Sequence, residues 1–304
     1  NVKRIRPDAL GPFDYENENY TKLLWVAEGG TAYYEGLLLR RAGLITDKEF
    51  LNGKVTQIKQ LQERPGRFET SLEEASFDAW IKYYRPDENA VNNQISYYDK
   101  GEVVNMMLDI VIRTSSGGTR SYDDLLRYLY TEYFKKGRNY TPQDFQKAAE
   151  LSAGKSLDDF FAKYVRGRED IDYAGILSGM GLQFKAEPTA TGKAYIGADL
   201  ADDGGRLTVK TVPVGTPAYQ QGLNTNDQIV AIDGYRTSLS FLQNYISERK
   251  PNDIVRLTVF RLDRLREVPF TLGEDMSKEY EVSPVAAPTD EQKKLYKEYL
   301  LADL

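Results

Sequence analysis

The feature that most constrains this chain is a change of hydrophobic period near residue 175. Upstream, apolar residues recur with helical spacing, and helix starts are marked by hydroxyl residues with a carboxylate three positions on. Thr21 precedes a helical pattern to residue 41 that carries Leu23, Leu24, Ala27, Leu37 and Leu38, and Gly43 supplies a stop. Thr46-Asp47-Lys48-Glu49 is a capping box for a second helix to residue 62. Residues 67–98 read as short helices mixed with extended pieces. The run with Val103, Val104, Met107, Leu108 and Ile112 reads as a buried helix over 102–114, and further helices open at Ser121, at Thr141-Pro142 and at Ser156. Beyond residue 180, glycines break the chain into short pieces with strand-like alternation at 207–212, 228–232 and 255–260, interrupted by a helix at 240–249. Pro284 and Pro288 mark a linker, and Thr289-Asp290-Glu291-Gln292 caps a last helix, 290–301. Its apolar Leu295, Tyr296, Tyr299 and Leu300 are expected to dock on the body. The fold class is therefore multi-domain α + β, and 304 residues are length enough for about two domains.

Composition removes several chemistries. There are no cysteines and no histidines, so disulfides, thiolate nucleophiles and imidazole bases are excluded within this chain, and the redox compartment stays open. Catalysis confined to it must use carboxylates, tyrosines, lysines or backbone groups. A net charge of -6 argues against binding nucleic acid by phosphate neutralisation. No apolar run reaches the roughly 18 residues of a membrane span. The opening Asn1-Val2-Lys3-Arg4 has no initiator Met and no signal peptide, so the expectation is a fragment or a processed form.

Glu28 stands in an apolar stretch, Leu24-Trp25-Val26-Ala27-Glu28-Gly29-Gly30-Thr31. Burying a carboxylate there is costly unless it is paired or holds a metal. Spacing alone reads it as a surface carboxylate or one satisfied by an arginine. Trp25-Val26-Ala27-Glu28-Gly29, however, resembles the W-x-x-E-G segment of zinc aminopeptidases related to aminopeptidase N. Together with Asn1-Val2-Lys3-Arg4-Ile5-Arg6-Pro7, Phe13-Asp14-Tyr15, Glu18-Asn19-Tyr20-Thr21 and Leu39-Arg40-Arg41-Ala42-Gly43-Leu44, it resembles the glycyl aminopeptidase family, whose members combine a thermolysin-like catalytic domain with a C-terminal PDZ domain.

The resemblance implies a domain order. Residues 1–175 would be the helical part of the metallopeptidase catalytic domain, 176–275 the PDZ domain, and 276–304 the linker and C-terminal helix. It implies zinc as cofactor and Glu28 as its third protein ligand. Tyr97-Tyr98-Asp99-Lys100-Gly101 is similar to the superfamily's Y-x-K-G segment, which implies that the Tyr98 hydroxyl donates to a developing oxyanion, with Tyr97 as the fallback. The residue-level alternative is a packing tyrosine, in a chain with 22 of them. Thr31, one turn past Glu28, is a candidate to orient that carboxylate, or else only a helix-stabilising hydroxyl. Lys3, Arg4 and Arg6 form a small basic group with a structural role favoured. The H-E-x-x-H motif, with two imidazole ligands and the water-activating Glu, does not occur in this chain. The 304 residues are thus expected neither to hold catalytic zinc tightly nor to hydrolyse peptides.

Tyr195-Ile196-Gly197-Ala198, Val212-Pro213-Val214-Gly215-Thr216-Pro217-Ala218, Gln221-Gly222-Leu223 and Asn226-Asp227-Gln228-Ile229 follow, in order, the pattern of bacterial protease-type PDZ domains. Asn226 stands where Gly is usual and tolerates positive φ; Gln221 stands where Ala is usual. The resemblance implies capture of peptide tails as an added strand near Gly197–Leu200, with Phe241, Leu242 and Tyr245 lining the side-chain pocket. Two function classes result. One is the C-terminal portion of a zinc metallopeptidase acting on peptide or protein substrates. The other is a non-catalytic peptide-binding module on a helical scaffold. The protease-type PDZ pattern favours the bacterial envelope over the cytoplasm, and the compartment is otherwise unknown.

Overall fold

A computed structural model describes residues 3–304; Asn1 and Val2 of the opening motif lie outside the described residues. The chain divides into two compact units. The first comprises residues up to Arg85, Gln94–Lys185 and Tyr280–Leu304; the second comprises Pro86–Asn93 and Ala186–Glu279.

The first unit is helical. It opens with α1 (Leu24–Arg41) and α2 (Asp47–Gln62). Both halves of the α2 capping box form: Glu49 N–H donates to Thr46 Oγ1 at 3.1 Å and Thr46 N–H to the Glu49 carboxylate at 2.7 Å. α3 (Leu72–Phe77) follows, and α4 (Ala90–Asn93) lies in the segment that belongs to the second unit, so the 67–98 stretch holds short helices and turns, and no strand lies among its described residues. α5 (Asp99–Ser115), α6 (Tyr122–Glu132), α7 (Pro142–Ala153), α8 (Asp158–Phe160), which runs on as a π turn, and α9 (Tyr173–Ser178) complete the run.

α5 is the spine of this unit, with Val103, Val104, Met107, Leu108 and Ile112 wholly buried. It crosses α1 at a pair of glycines. A Cβ on Gly29 would stand 2.6 Å from the Gly101 backbone, and one on Gly101 would stand 3.0 Å from the Trp25 carbonyl oxygen. Polar groups pin the crossing. The Asn105 amide donates to Trp25 O at 2.9 Å and to Gly101 O at 2.7 Å, and accepts from the Tyr122 hydroxyl. One turn on, buried Asp109 accepts from Tyr33 OH (2.6 Å), Tyr122 N–H (2.8 Å) and Arg113 Nε (3.0 Å). A buried Lys54–Glu102 pair ties α2 to α5.

β1 (Leu182–Tyr195) begins the passage into the second unit. β2 (Asp199–Asp202), β3 (Leu207–Thr211), α10 (Pro217–Gln220), β4 (Gln228–Ile232), β5 (Tyr235–Arg236), α11 (Leu239–Ser247), β6 (Ile254–Arg261) and β7 (Arg264–Thr271) follow. The sheet order is β2-β3-β4-β6-β7, with β5 paired to β4. Val209, Ile229, Ile232, Leu257, Val259 and Phe270 form its core with Leu242 of α11. Residues 276–284, expected as linker, instead belong to β8 (Gly273–Pro284), which pairs with β1 as a separate ribbon. Most residues of both ribbon strands are exposed, so no buried face imposes alternation on the sequence. The Asn226 φ is 71°, as its tolerance of that region requires. Gln221 takes the place of the usual Ala by bonding the backbone of Thr271, donating to its carbonyl at 2.8 Å and accepting from its N–H at 2.6 Å. Within the same unit the Asn92 side chain donates to Val212 O (2.9 Å) and accepts from Val214 N–H (2.8 Å).

The chain closes in the first unit with α12 (Asp290–Leu300), whose Leu295, Tyr296, Tyr299 and Leu300 enter the helical core.

The crossing yields a paired prediction. Gly29→Ala should lower stability by about 1–3 kcal/mol, because backbone stands in the way. Gly53→Ala, in α2 with nothing within 4 Å of the added carbon, should raise it by up to about 1 kcal/mol. Urea midpoints of the two variants check both signs.

Candidate functional site

The α1–α5 crossing sets two of the sequence candidates in one cavity. Glu28 precedes Gly29 on α1, and Tyr98 is the N-cap residue of α5, three positions before Gly101. Both line a cavity of about 470 Å³, with Leu24, Trp80, Tyr84 and Tyr97 among its other walls. Glu28 is half-buried and has no hydrogen bond or ion pair among the described residues. No arginine satisfies it, and it does not lie on an open surface.

Tyr98 sits in an aromatic stack. Its ring centroid is 4.5 Å from that of Tyr97 and 5.9 Å from that of Tyr83, and Tyr97 OH bonds Tyr84 OH at 2.9 Å. Tyr97 is the buried partner and Tyr98 the half-buried one. Desolvation pushes the Tyr98 phenol up to about 12, and the Glu28 charge acts in the same direction. At neutral pH it is therefore a protonated hydrogen-bond donor facing a carboxylate-bearing cavity.

Thr31 is not brought to this cavity. Its hydroxyl donates to Ala27 O at 2.7 Å, and it lines a separate hollow with Tyr34, Leu126 and Tyr140. Arg6 stacks over the Phe13 ring at 4.7 Å, and none of Lys3, Arg4 and Arg6 lines the Glu28 cavity. Sequence reasoning passed over Asp14, Asn19, Trp80 and Tyr84 as cavity residues. The only signal available was that Asp14 and Asn19 fall inside motifs already singled out.

The second unit has a groove of about 550 Å³ between β2 and α11. Tyr195, Ile196, Gly197, Ala198 and Leu242 line it. Phe241 and Tyr245 do not. They stack on each other at 5.8 Å, and the Tyr245 hydroxyl donates to Asp233 at 2.8 Å. The groove side of α11 is Leu239, Leu242, Gln243 and Ile246, the i, i+3, i+4, i+7 face. Residues 241 and 245 fall outside that stripe. Gly197 has φ +83°, and a Cβ there would meet the Thr216 Cβ at 2.6 Å. The N–H groups of Ile196, Gly197 and Ala198 meet no acceptor among the described residues, so they are available to an incoming carboxylate.

Residues 1–104 match the model of the M61 glycyl aminopeptidase family, and residues 194–272 match the PDZ domain. The chain is thus similar to the M61 glycyl aminopeptidase family over its first third and to PDZ domains in its second unit. The M61 match encloses Glu28, Tyr98 and both crossing glycines. The crystal structure of an aminopeptidase N family protein from Idiomarina loihiensis superposes with a TM-score of 0.85 and 26% identity, covering 99% of this chain and 52% of that one. A carboxyl-terminal-processing protease from a Synechocystis strain is 29% identical over 171 residues, 54% of this chain and 36% of that protein. The chain thus spans about half the length of the solved relative and about a third of the curated one.

Lys100, in the same Y-x-K-G segment, is buried, and desolvation lowers its ammonium to about 8. Its folded value lies below its unfolded one, so the unfolded chain holds the extra proton between pH 8 and 10.5. Stability from this group therefore rises with pH through that window. Lys100→Met should be more stable than the parent chain at pH 7, by up to about 3 kcal/mol, and lose that advantage by about pH 10.5. Urea unfolding at both pH values measures the difference.

Proposed function

We propose that this chain is the C-terminal portion of a zinc-dependent, aminopeptidase-like metallopeptidase whose PDZ domain binds peptides. The observation that carries the reading is the unpaired Glu28 carboxylate in one cavity with the Tyr98 phenol. A half-buried carboxylate with no partner among the described residues has its oxygens open to a divalent metal. The donor set fits one corner of a zinc site: a carboxylate oxygen is a suitable ligand, and among the described residues no group of three His, Cys, Asp or Glu is assembled to complete it. When bound, zinc polarises the scissile carbonyl and lowers the pKa of its water.

This chain's own residues then have defined tasks. Glu28 contributes one ligand. Tyr98, protonated at neutral pH, donates toward the oxygen that gains charge as the carbonyl is attacked. The aromatic walls from Trp80, Tyr84 and Tyr97 hold the substrate and exclude water. The imidazole ligands and the general base belong to an H-E-x-x-H element outside these 304 residues, so the chain by itself retains no zinc and hydrolyses nothing. In the second unit a peptide tail adds along β2, its carboxylate meets the amides of Ile196–Ala198, and its terminal side chain enters between Leu239 and Ile246.

In a chain extended to include that element, Glu28→Ala should lose bound zinc and fall in aminopeptidase activity by at least about a hundredfold. Tyr98→Phe should keep the zinc and lose about 10²–10³-fold in kcat. Zinc content and turnover unchanged in Glu28→Ala would end the ligand assignment and favour the non-catalytic module. For the groove, Ile246→Glu should weaken capture of labelled C-terminal peptides at least about tenfold, whereas Phe241→Ser should change it less than about twofold. Fluorescence anisotropy reads both.

A further inference from the structure

The cavity of Glu28 and Tyr98 contains a second carboxylate, Asp14, that the reading above leaves without a task. Asp14 and Glu28 are its only acidic residues, and no lysine or arginine lines it. Much of the remaining wall is aromatic, with Tyr15, Trp80 and Tyr84 among its rings, while the Phe13 ring already carries the Arg6 guanidinium 4.7 Å from its centroid. A cavity of net negative charge walled by aromatic rings favours a cation.

Asp14 is held in place. Its Oδ1 accepts from Glu16 N–H at 2.9 Å and Asn17 N–H at 3.2 Å, and its Oδ2 from the Asn17 amide at 2.9 Å. Asn19 clamps its backbone from both sides, accepting from Asp14 N–H at 2.9 Å and donating to Asp14 O at 2.7 Å. Trp80 Nε1 donates to Asn19 O at 3.3 Å, which ties this loop to the opposite piece of wall. A carboxylate has about four acceptor positions. Three are filled, so Oδ2 keeps one for a ligand. The Asn17 amide and the Glu16 N–H hold the carboxyl below its usual range, and it forms no ion pair among the described residues.

We propose that Asp14 binds the primary ammonium group of a peptide substrate and so decides which part of that peptide enters the cavity. This deepens the peptidase reading and rests on it for the substrate class. An ammonium carries three donors and a full charge, and so suits one open carboxylate position in a cavity with aromatic walls. Peptides offer that group in two places, a free N-terminus and a lysine side chain. Selection of the first would make the enzyme an exopeptidase.

The test uses the 304-residue chain without metal. Its readout is the indole N–H resonance of Trp80, one of two tryptophans, followed by ¹H–¹⁵N NMR. The probes are glycyl-alaninamide, N-acetylglycyl-alaninamide and Nα-acetyl-lysinamide. The expected result is a saturable shift with an ammonium-bearing probe, none with the N-acetylglycyl probe, and an affinity at least about tenfold weaker in Asp14→Asn. The tighter of the two ammonium probes identifies the source of the group. Equal binding of free and acetylated glycyl probes, an Asp14→Asn affinity equal to the parent's, or no saturable shift with either ammonium probe overturns the proposal. The comparison of probes on the unmutated chain stands even if the variant disturbs its loop. Zinc content of the extended enzyme tests the metallopeptidase reading separately, so either can fail alone.

Discussion

Two helices that meet backbone to backbone at one pair of glycines set the geometry of the candidate site. Where α1 meets α5, Gly29 and Gly101 leave room only for backbone. The neighbours of these glycines in sequence are the two residues proposed for the site, with Glu28 one position before the first and Tyr98 three before the second. Helix geometry then transmits the close approach to both side chains. The glycines of W-x-x-E-G and Y-x-K-G are thus explained by packing, and the chemical residues by what that packing brings together.

Close backbone approach alone does not fix rotation. Asn105 does so by bonding carbonyls on both helices, and Asp109 extends the polar seam to Tyr33, Tyr122 and Arg113. These groups are buried and hydrogen-bonded, so they raise specificity at little net cost as long as every partner is present. Loss of one partner would leave a charge or an amide stranded in an apolar core.

Much of this was legible in the sequence, and the failures have physical causes. Capping boxes at Thr46–Glu49 and Thr289–Gln292 announced their helices because they are local, reciprocal hydrogen bonds. The PDZ pattern was readable through turn residues such as Asn226 and Gly197, which occupy positive φ. Periodicity located α11, but it starts at Leu239, and the groove stripe belongs to Leu239, Gln243 and Ile246. Phe241 and Tyr245 attracted attention by size, yet their rings pack on each other. The β1–β8 ribbon left no trace, since a strand exposed on both faces has no reason to alternate. Asp14 could be seen only in three dimensions, through the loop hydrogen bonds that set it in the cavity wall.

The eight residues Pro86–Asn93 carry an implication for anyone dividing this protein. They lie between the aromatic stretch of Tyr83 and Tyr84 and the one of Tyr97 and Tyr98, yet they belong to the second unit, where the Asn92 amide is stitched to the backbone on either side of Pro213. A cut drawn by sequence at residue 186 would therefore remove a partner from a segment that stays behind, and an isolated PDZ piece would lack part of its own surface. The covalent seam and the folding seam follow different lines, and the discrepancy falls twelve residues or fewer from the tyrosine that shares a cavity with Glu28.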